Sequence, residues 1–176
     1  MRNTLYFLSI PFLILAGCSK APEAVAPPPQ LQDAQAADPP TVGRYTKMDD
    51  PLVKEYIIAD VLSAEPTAMW RWTGKNPTFR FKLRKLENLR FHADFTVNNT
   101  ALKATGPVTI TWFVNDHELA KETHTTEGFK KIQKPVPAEW LKSNGENIVS
   151  ASIDKLYNSP DGEKYGFIIS NLGFID

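Results

Sequence analysis

The chain has 176 residues, with 20 Lys and Arg against 20 Asp and Glu and a formal net charge of zero. That balance gives no basic surface for a nucleic acid, and a single cysteine excludes a disulfide framework. The length suffices for one ordinary domain with a terminal extension.

Residues 1–17 read as an export signal. Arg2 and the terminal amine give a small positive start, and Leu5 to Ala16 form an apolar core interrupted at Ser9 and containing Pro11. The run falls short of the roughly 20 apolar residues that span a bilayer. It closes on Leu15-Ala16-Gly17-Cys18, which resembles a bacterial lipobox. The resemblance implies cleavage before Cys18, a diacylglyceryl group on its sulfur and an acyl chain on the new amine. Two or more chains anchor stably where one is marginal. Ser19, where an Asp would imply retention, resembles cargo sent to the outer membrane of a didermic bacterium. The expected partner of this end of the chain is therefore the membrane, reached through lipid on Cys18. Residues 18–44 then form the lipidated N-terminus and a disordered tether. Pro22, Pro27, Pro28, Pro29, Pro39 and Pro40 sit among alanines and glutamines, a composition with too little apolar surface to offset its ordering entropy. Such a segment is semi-rigid and extended, at ~3.1 Å per residue.

Residues 45–176 read as one nearly all-β domain. Tyr56 to Leu62 is a short apolar run. Phe79 to Arg84 alternates strictly and places Phe79, Phe81 and Leu83 on one face. In the next segment Leu89, Phe91, Ala93, Phe95 and Val97 face one way, and Arg90, His92, Asp94 and Thr96 the other. Val108, Ile110, Trp112 and Val114 share a phase, and Asn115-Asp116 marks a tight turn into His117–Thr123. Gly128 to Val136 suits an edge because of Pro135 and Pro137. Ala138 to Lys142 fits a helical turn. Asn147–Tyr157 and Tyr165–Ile175 finish the chain as strands around Ser159-Pro160-Asp161-Gly162. About eight short strands with frequent turns predict a sandwich of two antiparallel sheets, with a closed barrel as the alternative.

Several stretches resemble galactose-binding-like jelly rolls. These are Trp70-Arg71-Trp72-Thr73-Gly74, the hairpin around Val114-Asn115-Asp116, Pro135 to Leu141, Gly145-Glu146-Asn147 with the strand after it, and the ending Tyr165 to Phe174. The similarity covers about residues 56–176. It implies an antiparallel jelly-roll β-sandwich and, as in many such domains, carbohydrate binding through loops at one end. Fold does not settle function.

The sequence contains no G-x-S-x-G, HExxH, P-loop or GxGxxG pattern, so no enzyme is expected. Ser150, Ser152 and Asp154 alternate with apolar residues and read as the exposed face of a strand. His92 and Asp94 lie about 7 Å apart along one polar face, enough to help hold a sugar hydroxyl but not to make a metal site. No cofactor is expected, although calcium held by backbone carbonyls is not legible in a sequence. Arg80, Lys82 and Arg84, with Arg90 nearby, make a basic row. It either meets lipid phosphates or an acidic glycan, or protects an edge and pairs with acids such as Asp94. The leading candidates for a ligand are Trp70 and Trp72, which share a face if extended while Arg71 points opposite. Indole stacks on the apolar face of a sugar, and Arg, Asn and Asp satisfy its hydroxyls. Trp140 and Tyr157 are further candidates, whereas Trp112 belongs to the core. The alternative for the tryptophans is burial between the sheets. Asn98-Asn99-Thr100 matches a glycosylation sequon by chance. The chain thus reads as a lipid-anchored envelope module for a glycan. The alternative is a protein-interaction or structural subunit, and a hydrolase ranks last.

Overall fold

The computed structural model describes residues 42–65 and 67–176. Cys18, the export signal and nearly all of the tether lie outside the described residues. No helix among the described residues is long and apolar enough to cross a membrane.

The order of elements is β1 (Tyr45–Lys47), α1 (Val53–Tyr56), β2 (Ile57–Val61), β3 (Arg71–Lys82), β4 (Arg90–Val97), α2 (Asn99–Thr105), β5 (Val108–Val114), β6 (His117–His124), β7 (Gly128–Pro135), a 3-10 turn (Ala138–Trp140), β8 (Glu146–Ile153), β9 (Tyr157–Asn158), β10 (Lys164–Tyr165) and β11 (Ile168–Ile175). The long strands pair antiparallel along the path β6-β5-β8-β3-β11-β4-β7, with β2 beside β3 and β1 beside β11. The path folds back on itself as a jelly-roll sandwich. Sheet one holds β7, β4 and β11, flanked by β1 and the start of β3. Sheet two holds β6, β5, β8, the rest of β3 and β2. The chain is all-β in class, as the alternating pattern predicts.

The period of two decides which side chains meet between the sheets. Phe79, Phe81, Leu83, Leu89, Phe91, Phe95, Ile110, Trp112 and Val114 are all essentially inaccessible. Trp112 is the centre of an aromatic cluster, with the rings of Phe91, Phe95 and Phe167 at 5.3, 5.6 and 5.6 Å. Aromatic pairs at such offsets add about 0.5–1.5 kcal/mol beyond burial alone.

The motifs that carry the family resemblance are bolts in this fold. Asn115 and Asp116 both take positive φ, 46° and 68°, as a two-residue hairpin turn requires. Asn115 Oδ1 accepts from the Ile148 N–H at 2.8 Å, and its Nδ2 donates to Trp140 O at 2.6 Å and to Asn147 Oδ1 at 3.0 Å. Asn147, wholly buried, donates from Nδ2 to Lys142 O at 2.9 Å and accepts from the Lys142 N–H at 2.8 Å. Two asparagines thereby lock the β5–β6 turn, the 3-10 turn and the start of β8 together. Leaving any of these buried groups without a partner costs roughly 1–3 kcal/mol.

Three differences from the pattern reading have local causes. Helix α2 was not legible as a helix: it is one short piece after the β4 strand, and its N-cap is Asn98, whose side chain accepts from the Ala101 N–H at 3.1 Å. The sequon asparagine is thus a cap. Strand β3 begins at Arg71, eight residues before Phe79, because its first residues pair with β11. The stretch read as one strand to Tyr157 ends at Ile153, and Tyr157–Asn158 instead pairs with Lys164–Tyr165 in a small hairpin.

The two ends of the strand path, β6 and β7, face each other across the open side of the sandwich. Lys134 Nζ lies 3.4 Å from Glu122 Oε1 across this seam. His124, also on the inward side of β6, sets its ring 5.4 Å from Phe95, edge to face. Burial pushes the His124 imidazole below its ordinary pKa; Lys130 acts in the same direction and Glu122 partly opposes them. The unfolded chain therefore holds this proton more tightly than the folded one. Stability contributed by neutral His124 is present above the ordinary imidazole value of about 6.5 and is lost as pH falls below it. Urea unfolding at pH values on either side of about 6.5 should show a smaller acid loss of stability in His124→Gln than in the parent. Equal losses would mean that His124 does not titrate on unfolding.

Candidate functional site

The outward side of sheet one collects the groups that can hold a ligand. In-register residues on neighbouring strands share a face, so the pairings define rows across the sheet. The first row runs Trp72 (β3), Ile168 (β11), Thr96 (β4) and Phe129 (β7). The second runs Lys47 (β1), Asn171 (β11), Asp94 (β4) and Lys131 (β7). The third runs Tyr45, Gly173, His92 and Gln133 on the same four strands. Strands lie about 4.8 Å apart, so Trp72 and Phe129 stand about 14 Å from each other.

The first row is apolar and aromatic at its ends. Trp72 lies against Tyr165 of β10, ring centroids 4.8 Å apart. Trp70, two residues back from Trp72, is 48% exposed, and Phe129 is 61% exposed. An aromatic ring left this open on a sheet face is available to stack on a flat apolar partner.

The second and third rows are polar and fixed by one another. Tyr45 Oη donates to Asn171 Oδ1 at 2.6 Å, and Asn171 Nδ2 donates to Asp94 Oδ2 at 3.1 Å. The other Asp94 oxygen lies 3.3 Å from His92 Nε2 and 3.9 Å from Lys131 Nζ. The rings of Tyr45 and His92 stand 6.1 Å apart over Gly173. A methyl group there would run into the backbone of Arg44 and Tyr45, so only glycine lets β1 lie this close. Burial, and then the Asp94 charge, raise the Tyr45 phenol above its ordinary pKa.

The sequence candidates separate on this frame. Trp72, His92 and Asp94 come to one face of one sheet, although Trp72 and His92 are 20 residues apart in sequence, and Trp70 lies exposed just before β3. His92 and Asp94 contact each other along β4 and are largely covered, with side-chain exposures of 11% and 17%. Arg71 faces the opposite way, opposite Ile169, and is 3% exposed. Its guanidinium reaches Met48 O at 3.4 Å and its Nε finds no partner among the described residues, so it offers nothing to a ligand beside the tryptophans. Trp140 is covered on one side by His117, stacked at 4.7 Å and 13°, and Tyr157 lies in the β9–β10 hairpin.

The basic row divides. Arg80 lies beside Glu146 of β8 at 3.4 Å, while Asp94 belongs to the other sheet. Arg90 also lies on sheet one, opposite Pro135. Strand β3 pairs with β8 through Lys82 but with β2 only as far as Phe79, so Arg80 and Lys82 have a strand partner on one side, and Arg84 lies past the end of β3. Tyr45, Phe129, Tyr165, Ile168 and Asn171 were missed as site residues. Phe129 carried a signal, being an aromatic in the outward phase of a strand whose inward phase holds Ile132. The others needed the register.

None of the three histidines has a hydroxyl or thiol as hydrogen-bond partner among the described residues, and His92, His117 and His124 lie at three separate places. No group of three His, Cys, Asp or Glu residues able to hold a metal occurs among the described residues.

Comparison with protein-family models and with curated proteins returns no match. Among solved structures the chain is similar to a family GH115 4-O-methyl-α-glucuronidase with specificity for decorated arabinogalactans, at 10% identity and a TM-score of 0.46 over 78% of this chain and 18% of that one. It is similar to the carbohydrate-binding module CBM36 in complex with calcium and xylotriose, at 9% identity and a TM-score of 0.39 over 74% of this chain and 98% of the module. A family 35 carbohydrate-binding module from Clostridium thermocellum gives 12% identity and a TM-score of 0.38 over 69% of this chain and 88% of the module. Likeness at this level carries no inference about ligand or activity.

The coupling within the polar rows is measurable. Asp94→Asn should bring the Tyr45 phenol part of the way back toward its ordinary pKa, since burial remains when the charge is gone. Alkaline titration of phenolate absorbance, assigned with Tyr45→Phe, reads the change. An unmoved Tyr45 would show that Asp94 does not act on it.

Proposed function

We propose that this chain is a lipid-anchored, non-catalytic binding module of the bacterial cell envelope whose ligand is an extended polysaccharide laid across the outer face of sheet one. The observation that carries the reading is the first row, with Trp72 backed by Tyr165 at one end, Trp70 open beside it, and Phe129 open at the other end. Between and beside these rings stand a hydroxyl (Thr96), an amide (Asn171), a carboxylate (Asp94) and an ammonium (Lys131). That set can donate to and accept from sugar hydroxyls. A broad face with binding groups spread along strands suits a chain of sugars better than a small molecule, which is held in a concave pocket. Catalysis finds no support in the histidine environments described above.

The alternative, a protein-interaction subunit, draws support from Met69, 71% exposed beside Trp70, and from Ile58, 46% exposed. The envelope setting and the outer-membrane address rest on Leu15-Ala16-Gly17-Cys18 and Ser19.

Retention on insoluble neutral and acidic polysaccharides tests the ligand. The parent should be retained, and Trp72→Ala with Phe129→Ala should weaken retention by at least about tenfold, or ~1.4 kcal/mol, with circular dichroism unchanged. Absence of retention on every polysaccharide, together with co-purification of a stoichiometric envelope protein, would transfer the face to the protein-interaction reading.

Attachment is tested apart from the ligand. Cys18→Ala should move the protein from the membrane fraction to the soluble fraction and remove the acyl mass from its N-terminal peptide. A variant that stays in the membrane with unchanged mass would refute the lipid anchor.

A further inference from the structure

A cleft of about 560 Å³ opens at the end of β3, away from the aromatic face, and its walls include Gly43, Arg44, Lys82, Arg84, Lys85 and Asn144. Four of the eight lining residues are cationic, and no carboxylate lines the cleft among the described residues. The walls are held by backbone bonds. The Lys82 N–H donates to Gly43 O at 3.1 Å, and the Asn144 N–H donates to Leu83 O at 3.1 Å. Leu83, buried and bridged to Ser143, pins the strand end between its charged neighbours. The alternation that buries Leu83 therefore turns Lys82 and Arg84 outward together.

The four cations are not equivalent. Arg44 is satisfied by Asp176, Nη1 to Oδ1 at 2.9 Å. That hydrogen bond, then the Arg44 charge and more weakly that of Lys85, hold the Asp176 carboxyl below its usual range. Lys82, Arg84 and Lys85 have no carboxylate at ion-pair distance among the described residues. Like charges gathered at a cleft repel one another, and the field they focus there draws an anion. One Arg already satisfies one carboxylate at Asp176. Three further cations around a single opening match a group with more charge and more acceptor oxygens.

We propose that this cleft binds a phosphate ester, with its oxygens taken by Lys82, Arg84 and Lys85 and its organic body filling the remaining volume beside Gly43 and Asn144. Phosphate is the chemistry that planar guanidinium and ammonium donors recognise together. The cleft is too large for inorganic phosphate alone, which favours an ester over the free ion. The ester can be a soluble phosphate or the headgroup of a phospholipid.

Calorimetric titration of the full chain in neutral detergent at low salt, with glycerol 3-phosphate, inorganic phosphate and uncharged glycerol, reads the soluble arm. Vesicle flotation of the full Cys18→Ala chain on phosphatidylglycerol against phosphatidylcholine reads the lipid arm. Glycerol 3-phosphate should bind more tightly than inorganic phosphate, with glycerol silent. Arg84→Gln with Lys85→Gln should weaken binding by about tenfold or more, and added salt should weaken it further. An excess on phosphatidylglycerol that the double variant abolishes identifies the lipid headgroup as the source. Binding of the soluble ester without that excess identifies a soluble phosphate ester. Binding in neither arm overturns the proposal. So does a double variant that binds as tightly as the parent at an unchanged thermal midpoint. Loss of polysaccharide retention leaves these readouts untouched, because the two faces share no residue.

Discussion

Thr73 and Phe167 hold the two sheets in one molecule. The Thr73 N–H and hydroxyl both donate to Phe167 O, each at 2.9 Å, and the hydroxyl accepts from the Phe167 N–H at 3.0 Å. The Gly166 N–H completes the clamp by donating to Thr73 O at 2.7 Å. Thr73 is wholly buried, so these groups have no water to fall back on and the bonds must form for the chain to fold. A side chain at Gly166 would strike the Gly74 carbonyl and Thr73 itself. The close approach of β3 and β11 at this point is therefore open to glycine alone.

That clamp decides what each neighbour does. It fixes the start of β3 on β11, with Trp72 directed outward beside Ile168 and Arg71 inward beside Ile169. It sets Phe167 against Trp112 and Phe95 at 5.6 Å each, which joins the clamp to the aromatic centre. Farther along, β3 leaves β11 and pairs with β8 from Thr78 to Lys82. One strand thus presents an outward-facing indole near one end, with core phenylalanines toward its other end and the cationic cleft at and just past that end. The aromatic face and the cationic cleft are spatially separate products of a single β-strand.

Much of the sandwich is legible from alternation. Phe79, Phe81, Phe91, Phe95, Ile110 and Trp112 lie inside because burying one face of a strand imposes a period of two. The Asn115-Asp116 turn is legible because few residues tolerate positive φ at two successive positions. The short helix after Asn98 and the early start of β3 are less so. Helix α2 is too short to show a period, and the first residues of β3 become a strand only through their pairing with β11. Of the site, the tryptophans and the His92–Asp94 pair stood out by residue type. Arg71 was a plausible sugar ligand by type, and its position opposite the indoles puts it in the core.

The sequence by itself determined the all-β class, the inward phases of the central strands and the place of the tight turn, because each follows from neighbours within a few residues. Only the tertiary structure decided which outward residues share a surface. Register aligns Trp72 with Ile168, Thr96 and Phe129, and Asp94 with Asn171 and Lys131, from strands distant along the chain. It likewise sends Lys82 and Arg84 to a cleft with Arg44 and leaves Arg80 beside Glu146. Local pattern states which side of a strand a residue occupies; the pairing between strands states what it stands beside.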